Sequence, residues 1–131
     1  MLNYEEMSDF EINMRVACSI DGVRVDENGN PEYAIDCFLH SDNGISVKWL
    51  RCGNDEFEFF NPCNNPSDAW SIIMEYQISI TKYEGLEKWD AHGGGICVDY
   101  DHCIVSDLDC SYSNKNPLRA AMIVFLMMSH K

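Results

Sequence analysis

The stretch that decides the fold is Asn116-Pro117-Leu118-Arg119-Ala120-Ala121-Met122-Ile123-Val124-Phe125-Leu126-Met127-Met128. Asn116 suits the N-cap of a helix, and Pro117 suits the first helical position, where its missing N–H costs no hydrogen bond. From Leu118 to Met128 only Arg119 is polar, so the sequence predicts a helix that is apolar nearly all round and enclosed by the rest of the protein. The apolar run is far shorter than the roughly 20 residues that span a bilayer, and we therefore expect no membrane association.

The length of 131 residues predicts a single domain covering residues 1–131. The 46% of apolar residues supply enough material for a core. The net charge of −13 disfavours direct binding to nucleic acid, because phosphate contacts require Lys and Arg. Two interpretations of the acidic excess remain: it serves solubility, or it presents a negative surface to a basic partner.

The seven cysteines do not form a pattern typical of disulfides or zinc sites. Their number is odd, they contain no CxxC pair, and the N-terminus lacks the order of charged, apolar and small residues seen in secretory signals. We therefore expect free thiols in a reducing cytoplasm, most of them acting as small core residues.

Two further helices are predicted from capping and periodicity. Ser8 and Glu11 form a capping box at the start of a helix over residues 8–19. Asn65 and Pro66 repeat the pattern of residues 116–117 and begin a helix over 66–76, which is expected to bury four apolar side chains: Ala69, Trp70, Ile73 and Met74.

Short apolar or alternating runs between turn signals predict the strands. They cover residues 23–25, 33–39, 45–50 and 78–83, and a hairpin with arms at 96–100 and 103–105. The order of helix, strands, helix, strands and helix predicts an α+β fold, with about three helices packed on an antiparallel sheet.

The best candidate for a binding surface is the segment that precedes the second helix together with the first turn of that helix. Its amides, together with the free N–H groups of the helix start, suit an anion or the backbone of a partner. The same groups also satisfy local turn and capping needs without any ligand. Tryptophans in or after the block suit stacking on a ring, although a single tryptophan is more often part of a core. The candidate binding residues are Asn61, Cys63, Asn64, Asn65, Ser67, Asp68, Trp70 and Trp89.

Cys63 is also the best candidate for a nucleophile, because a helix N-terminus lowers the pKa of a cysteine just before it. His40, His92 and His102 are candidate bases, and the spacing selects none of them.

Metal and phosphate motifs are weak in this chain. The segment 99–103 concentrates ligand types, but neighbouring residues such as His102 and Cys103 point to opposite faces of a strand. The three glycines at 93–95 lack the Gly-Lys-Ser or Gly-Lys-Thr of a P-loop. We therefore expect no metal and no cofactor.

Three segments together resemble a phage family: residues 7–13, residues 61–73 and the block from Asn116 to Met128. They are similar to the NinX-like proteins of tailed bacteriophages and prophages. Ser71 and Tyr76 depart from the family pattern, where Pro and Asn are expected. The resemblance implies an accessory phage product acting in the cytoplasm of the bacterial host, and it brings no catalytic residues with it.

The leading hypothesis is a non-catalytic binding protein that engages a host protein with a basic surface. The acids that could form the matching acidic patch are Asp26, Glu27, Asp55, Glu56 and Glu58. The alternative is a binder of a small, nucleotide-type molecule, which would need aromatic groups and cations such as Arg15, Arg24 or Arg119. The third hypothesis is a thiol-dependent enzyme centred on Cys63. Three methionines in the last helix suit either a core or the seam of a homodimer, and a core is favoured.

Overall fold

The protein was analysed as a computed structural model, which describes residues 3–22, 35–40, 42–50, 56–94, 96–98, 103–105 and 110–129. At 96–98 and 103–105 the description is confined to the backbone. The predicted strand at 23–25, the start of the one at 33–39 and the ligand-rich segment 99–102 lie outside the described residues.

The described elements form an α+β arrangement, as predicted. A short 3-10 helix at Tyr4–Glu6 precedes the three α-helices. These are α1 (Asp9–Ile20), α2 (Pro66–Glu75) and α3 (Pro117–Ser129). The strands are β1 (Cys37–Leu39), β2 (Ile45–Val47), β3 (Glu58–Phe60), β4 (Ser79–Lys82), β5 (Trp89–His92), β6 (Ile96–Val98), β7 (Cys103–Val105) and β8 (Ser111–Asn114).

The predicted sheet is divided into antiparallel units. One three-stranded sheet has the order β1-β2-β3, with Phe38 opposite Ser46 and Ser46 opposite Phe59. The second has the order β4-β5-β8, with Ala91 of the central strand opposite Ile80. Strands β6 and β7 pair with each other and confirm the predicted hairpin.

Helix α3 is the centre of the fold. All seven residues from Ala120 to Leu126 are buried, which confirms that the helix is enclosed on every side. It packs against α1, α2, β5 and β8. Met122 is fully buried, so the methionines of this helix contribute to the core. No helix in the described part of the chain combines the length and the apolar character needed to cross a membrane.

The helix starts follow the predicted caps. The Ser8 hydroxyl accepts a hydrogen bond from the Glu11 amide, and the Asn65 side chain accepts one from the Ser67 amide. The Asn116 side chain accepts from the amide of Leu118 at 2.9 Å. Each cap satisfies a backbone N–H that has no partner inside its own helix.

Candidate binding groove

A buried asparagine pair ties the loop before α2 to α1. Asn13 of α1 is fully buried, and its Nδ2 donates to Oδ1 of Asn61 at 2.9 Å and to the Asn43 carbonyl at 3.2 Å. Its Oδ1 accepts from the Cys63 amide at 3.2 Å. The Asn61 amide in turn donates to Oδ2 of Asp68 at 2.9 Å. These bonds hold the loop in place from within.

The starts of all three α-helices meet at Asn64. Its Nδ2 donates to Oδ2 of Asp9, the first residue of α1, at 3.0 Å. Its Oδ1 accepts from Nδ2 of Asn116, the cap of α3, at 3.3 Å. Asn65, the next residue, caps α2. Arg119 closes the cluster by donating to Oδ1 of Asp9 at 2.6 Å.

Most of the predicted site residues therefore act in the fold. Asn61, Cys63, Asn64, Asn65 and Asp68 bond to one another or to helix starts. The carboxylate of Asp9 lies where an external anion would meet the helix starts, and it is already bonded to Asn64 and Arg119. A binding role for this cluster stays a prediction.

Cys63 does not have the environment of a nucleophile. Its side chain is fully buried, and this desolvation raises the pKa of the thiol to about 12 instead of lowering it as the sequence predicted. The charged groups that act on the thiol are Asp9 and Arg119. The helix start cannot compensate, because a thiolate buried without solvent is strongly disfavoured. The prediction of a lowered pKa was wrong.

Two of the candidate bases are described. His40 lies 2.6 Å from Oδ1 of Asp42 in an exposed pair, and that hydrogen bond holds the pKa of Asp42 below its ordinary value. His92 is buried at the end of β5, and its Nδ1 has no hydrogen-bond partner within the described part of the chain. His102 lies outside the described residues.

An open groove lies between α2 and β4. Its volume is about 500 Å³, within the size range of ligand sites. Helix α2 contributes Trp70, Ile73 and Met74 at the spacing i, i+3 and i+4, which places them in one stripe, and Gln77 follows in the turn after the helix. Seven residues line the groove: Trp70, Ile73, Met74, Gln77, Ile78, Ser79 and Ile80.

The rim of the groove is apolar and exposed. Trp70 is 61% exposed and Met74 is 60% exposed. Ile73 and Ile78 lie buried beneath them and form the apolar floor. Large apolar side chains held in solvent beside a concave surface are typical of interaction sites.

The burial predicted for α2 was partly wrong. Ala69 and Ile73 are buried as expected, whereas Trp70 and Met74 are exposed. The stripe that faces α3 continues from Ala69 through Ile72 and Ile73, and Tyr76 packs on Phe125 at a ring distance of 4.8 Å. Each residue advances about 100° around a helix, so the stripe containing Trp70 and Met74 points to the side.

Helix α2 ends in a strained turn that positions Gln77. The Ile78 amide donates to the Ile73 carbonyl at 3.0 Å, which closes the six-residue bond of a Schellman motif. Gln77 has φ of 54°, a left-handed conformation that glycine normally fills at this place. Its side chain is one of the two polar side chains in the groove lining.

The strand wall of the groove is an edge. Among the described strands, β4 pairs with β5 alone and forms the outer strand of its sheet. Alternate backbone N–H and C=O groups of an edge strand point away from its sheet. The groove therefore combines an apolar helix stripe with backbone hydrogen-bonding groups.

Two predicted site tryptophans separate in the structure. Trp70 forms the groove rim, and Trp89 lies in the central strand β5 between Lys82 and Asn114, away from the lining residues. Sequence reasoning missed Met74 as a surface residue, and it missed Gln77 and the strand wall. The available signal was the i, i+3, i+4 stripe of Trp70, Ile73 and Met74, and such a stripe does not say whether it faces a core or a groove.

A second exposed aromatic surface covers the sheet β1-β2-β3. The tilted rings of Phe38 and Phe57 lie 5.0 Å apart, and the Phe59 ring lies 4.8 Å from the His40 ring. Lys48 Nζ lies 6.0 Å from the centre of the Phe57 ring. None of these residues lines the groove.

The described arginines take part in the fold. Arg119 donates to the carbonyls of Tyr4 and Met7 at 3.0 and 2.6 Å, besides its bond to Asp9. Arg15 is buried and pairs with Glu11 at 3.3 Å. Arg24, the third cation suggested for a nucleotide site, lies outside the described residues. Within the described residues, no group of three or more His, Cys, Asp or Glu side chains is placed to hold a metal.

Fold and groove define an α+β protein with an open, uncharged groove between a helix and an edge strand. The family model described as bacteriophage P22 NinX matches residues 3–129, and the chain belongs to this NinX family. Comparison with curated proteins and with solved structures gave no match.

Proposed function

We propose that this phage protein is a non-catalytic binding protein that engages a host protein with a basic surface in the cytoplasm of the infected bacterium. The observation that carries the proposal is the groove rim, where Trp70 and Met74 stand exposed above a buried apolar floor. Tryptophan is among the residues that most often dominate binding energy at protein interfaces.

The charge of the chain supports a basic partner. The net charge of −13 creates a negative field that accelerates encounters with a cationic surface and slows those with an acidic one. Glu75 lies exposed next to Met74 on the same helix. The apolar groove would supply affinity, and the acidic excess would supply attraction at a distance.

The acidic patch first suggested by the sequence has weaker support. Asp26, Glu27 and Asp55 lie outside the described residues. Glu58 is exposed on β3, but its carboxylate accepts the Trp49 indole N–H at 2.8 Å. For this reason the proposal places the contact at the groove.

The alternative of a nucleotide-type ligand has less support. The seven groove residues include no cation that could balance a phosphate. A thermal shift assay with nucleotides tests this alternative independently of any protein partner.

The test is affinity capture of the tagged protein from infected host cells, at low and at moderate salt, with four baits. These are the wild type, Trp70→Ala, Met74→Ala and the control Phe57→Ala, which removes an exposed aromatic ring outside the groove. We expect one stoichiometric host protein that is retained by the control, is lost with Trp70→Ala and declines as salt rises. Capture of no partner, or of one that all four baits retain equally, would overturn the proposal.

A further inference from the structure

We infer that the groove binds its partner as an extended segment that adds a strand to the edge of β4 that pairs with no described strand, with apolar side chains in the groove and Lys or Arg between them. This inference rests on the proposed function and specifies how the partner is recognised. Strand addition at a sheet edge is an established way for a groove to combine main-chain bonds with side-chain pockets.

The dimensions of the two walls fit an extended ligand. The four residues of β4 span about 14 Å, since a strand rises about 3.4 Å per residue. The ten residues of α2 span about 15 Å at about 1.5 Å per residue. The groove itself is lined by Ser79 and Ile80 of β4 and by Trp70, Ile73 and Met74 of α2, so a segment of about four residues would fill it and extend past it along β4.

The polar groups of the groove suit a backbone ligand. Strand β4 offers outward N–H and C=O groups on the side away from β5. In the turn that joins α2 to β4, Gln77 presents a side-chain amide, which can both donate to and accept from a peptide group. Its left-handed backbone is a local strain of the kind that is concentrated at binding sites.

The charge pattern selects the chemistry of the segment. In an extended chain successive side chains point to opposite sides, so residues that do not enter the apolar groove face outward. The net charge of −13 and the exposed Glu75 favour Lys or Arg at those positions. The same charge opposes a second copy of this chain as the occupant, because two copies repel each other.

The inference is tested with randomised peptides of about nine residues, long enough to extend past both ends of β4. They are selected in parallel on the whole wild-type protein and on Trp70→Ala. We expect sequences that bind the wild type alone and alternate apolar residues with Lys or Arg. Apolar residues repeating at i, i+3 and i+4 would mean a helical ligand, which overturns strand addition and leaves the proposed function standing. If no selected sequence depends on Trp70 for binding, the result counts against both strand addition and the proposed function.

Backbone methylation gives the sharper readout. The best peptide is made in two forms, each methylated on alternate backbone nitrogens, so that one form loses the N–H groups facing β4 and the other loses those facing away. We expect the first to bind at least about tenfold more weakly, because two hydrogen bonds are lost, and the second to bind like the parent. Equal affinities in the two forms would overturn strand addition. Concentration-dependent dimers of the protein alone, abolished by Trp70→Ala, would also overturn it by naming a second copy as the occupant.

Discussion

Asn13 and Asn61, 48 positions apart in the chain, share a buried hydrogen bond of 2.9 Å between Nδ2 and Oδ1. The bond joins α1 to the loop before α2, and a second bond from the Cys63 amide to the Asn13 side chain runs beside it. Both ends lie in the interior, where water cannot replace a lost partner. This pair is therefore part of the stability of the fold.

Replacing Asn13 with alanine should destabilise the protein by about 1–3 kcal/mol, since it leaves the buried Cys63 amide without a partner, while Asn61 Oδ1 keeps its bond from Asn64 Nδ2. Urea unfolding measures the change. Asn3→Ala is the control, because the Asn3 side chain makes no capping bond, and its effect should stay within about 0.5 kcal/mol. An Asn13→Ala protein as stable as the wild type would contradict the assigned role.

Arg119 should hold the N-terminal segment on the protein. Arg119→Met removes the donors for Asp9 and for the carbonyls of Tyr4 and Met7, and we expect a loss of about 2–3 kcal/mol. Amide hydrogen exchange at residues 3–8 should accelerate more than exchange in the middle of α3. Arg119→Lys keeps the charge but not the forked geometry of the guanidinium. Its stability and its exchange rates at residues 3–8 should therefore lie between those of the wild type and those of Arg119→Met. Unchanged exchange at residues 3–8 in the Met variant would count against this role.

The helices could be predicted because their signals are local. Ser8, Asn65 and Asn116 each lie within three residues of the amide that they cap, so the sequence alone locates the helix starts. The apolar run in α3 likewise requires burial wherever the helix packs. The predicted helices over residues 8–19, 66–76 and 117–128 were accordingly close to the observed bounds.

The groove and several strands could not be predicted because they depend on distant contacts. Whether Trp70 or Ile72 faces inward is decided by where α3 lies. Strand β8 consists of polar residues and a tyrosine, and it forms because β5 lies beside it. The position of β4 at an edge is likewise a property of the sheet order, which no local pattern encodes.

Cys63 should be unreactive in the folded protein. Burial raises the pKa of its thiol from 9.0 to about 12, so almost no thiolate is present at neutral pH. The pKa of the Cys63 thiol is higher in the folded protein than in the unfolded chain. The contribution of the buried thiol to the free energy of unfolding is therefore complete below pH 9 and is lost as the pH rises toward about 12. Iodoacetamide labelling followed by mass spectrometry should modify Cys63 only after unfolding in urea.

Cys37 provides the comparison within the same molecule, since it is partly exposed and should label sooner. Cys63→Ala should still bind the partner proposed above. Rapid labelling of Cys63 in the folded state, or loss of function on its replacement, would revive the thiol-dependent hypothesis.

Gln77→Gly should stabilise the protein and weaken partner binding. Glycine adopts the left-handed conformation without the steric cost that Gln77 bears, and we expect a gain of up to about 1 kcal/mol in urea unfolding. The lost amide should at the same time reduce affinity for a captured partner or selected peptide. Asn43→Gly is the matched control, with φ of 68° at a position outside the groove lining. A Gln77→Gly protein that binds as well as the wild type would remove Gln77 from the recognition surface.

The most direct test of the groove as the binding surface is site-specific photocrosslinking in infected host cells. A photoreactive residue is placed at position 74 on the groove rim, and in a second protein at position 57 on the exposed face of the other sheet. We expect irradiation to give one defined adduct with a host protein from position 74 and none from position 57. An adduct from position 57 alone, or no adduct from either, would contradict the account.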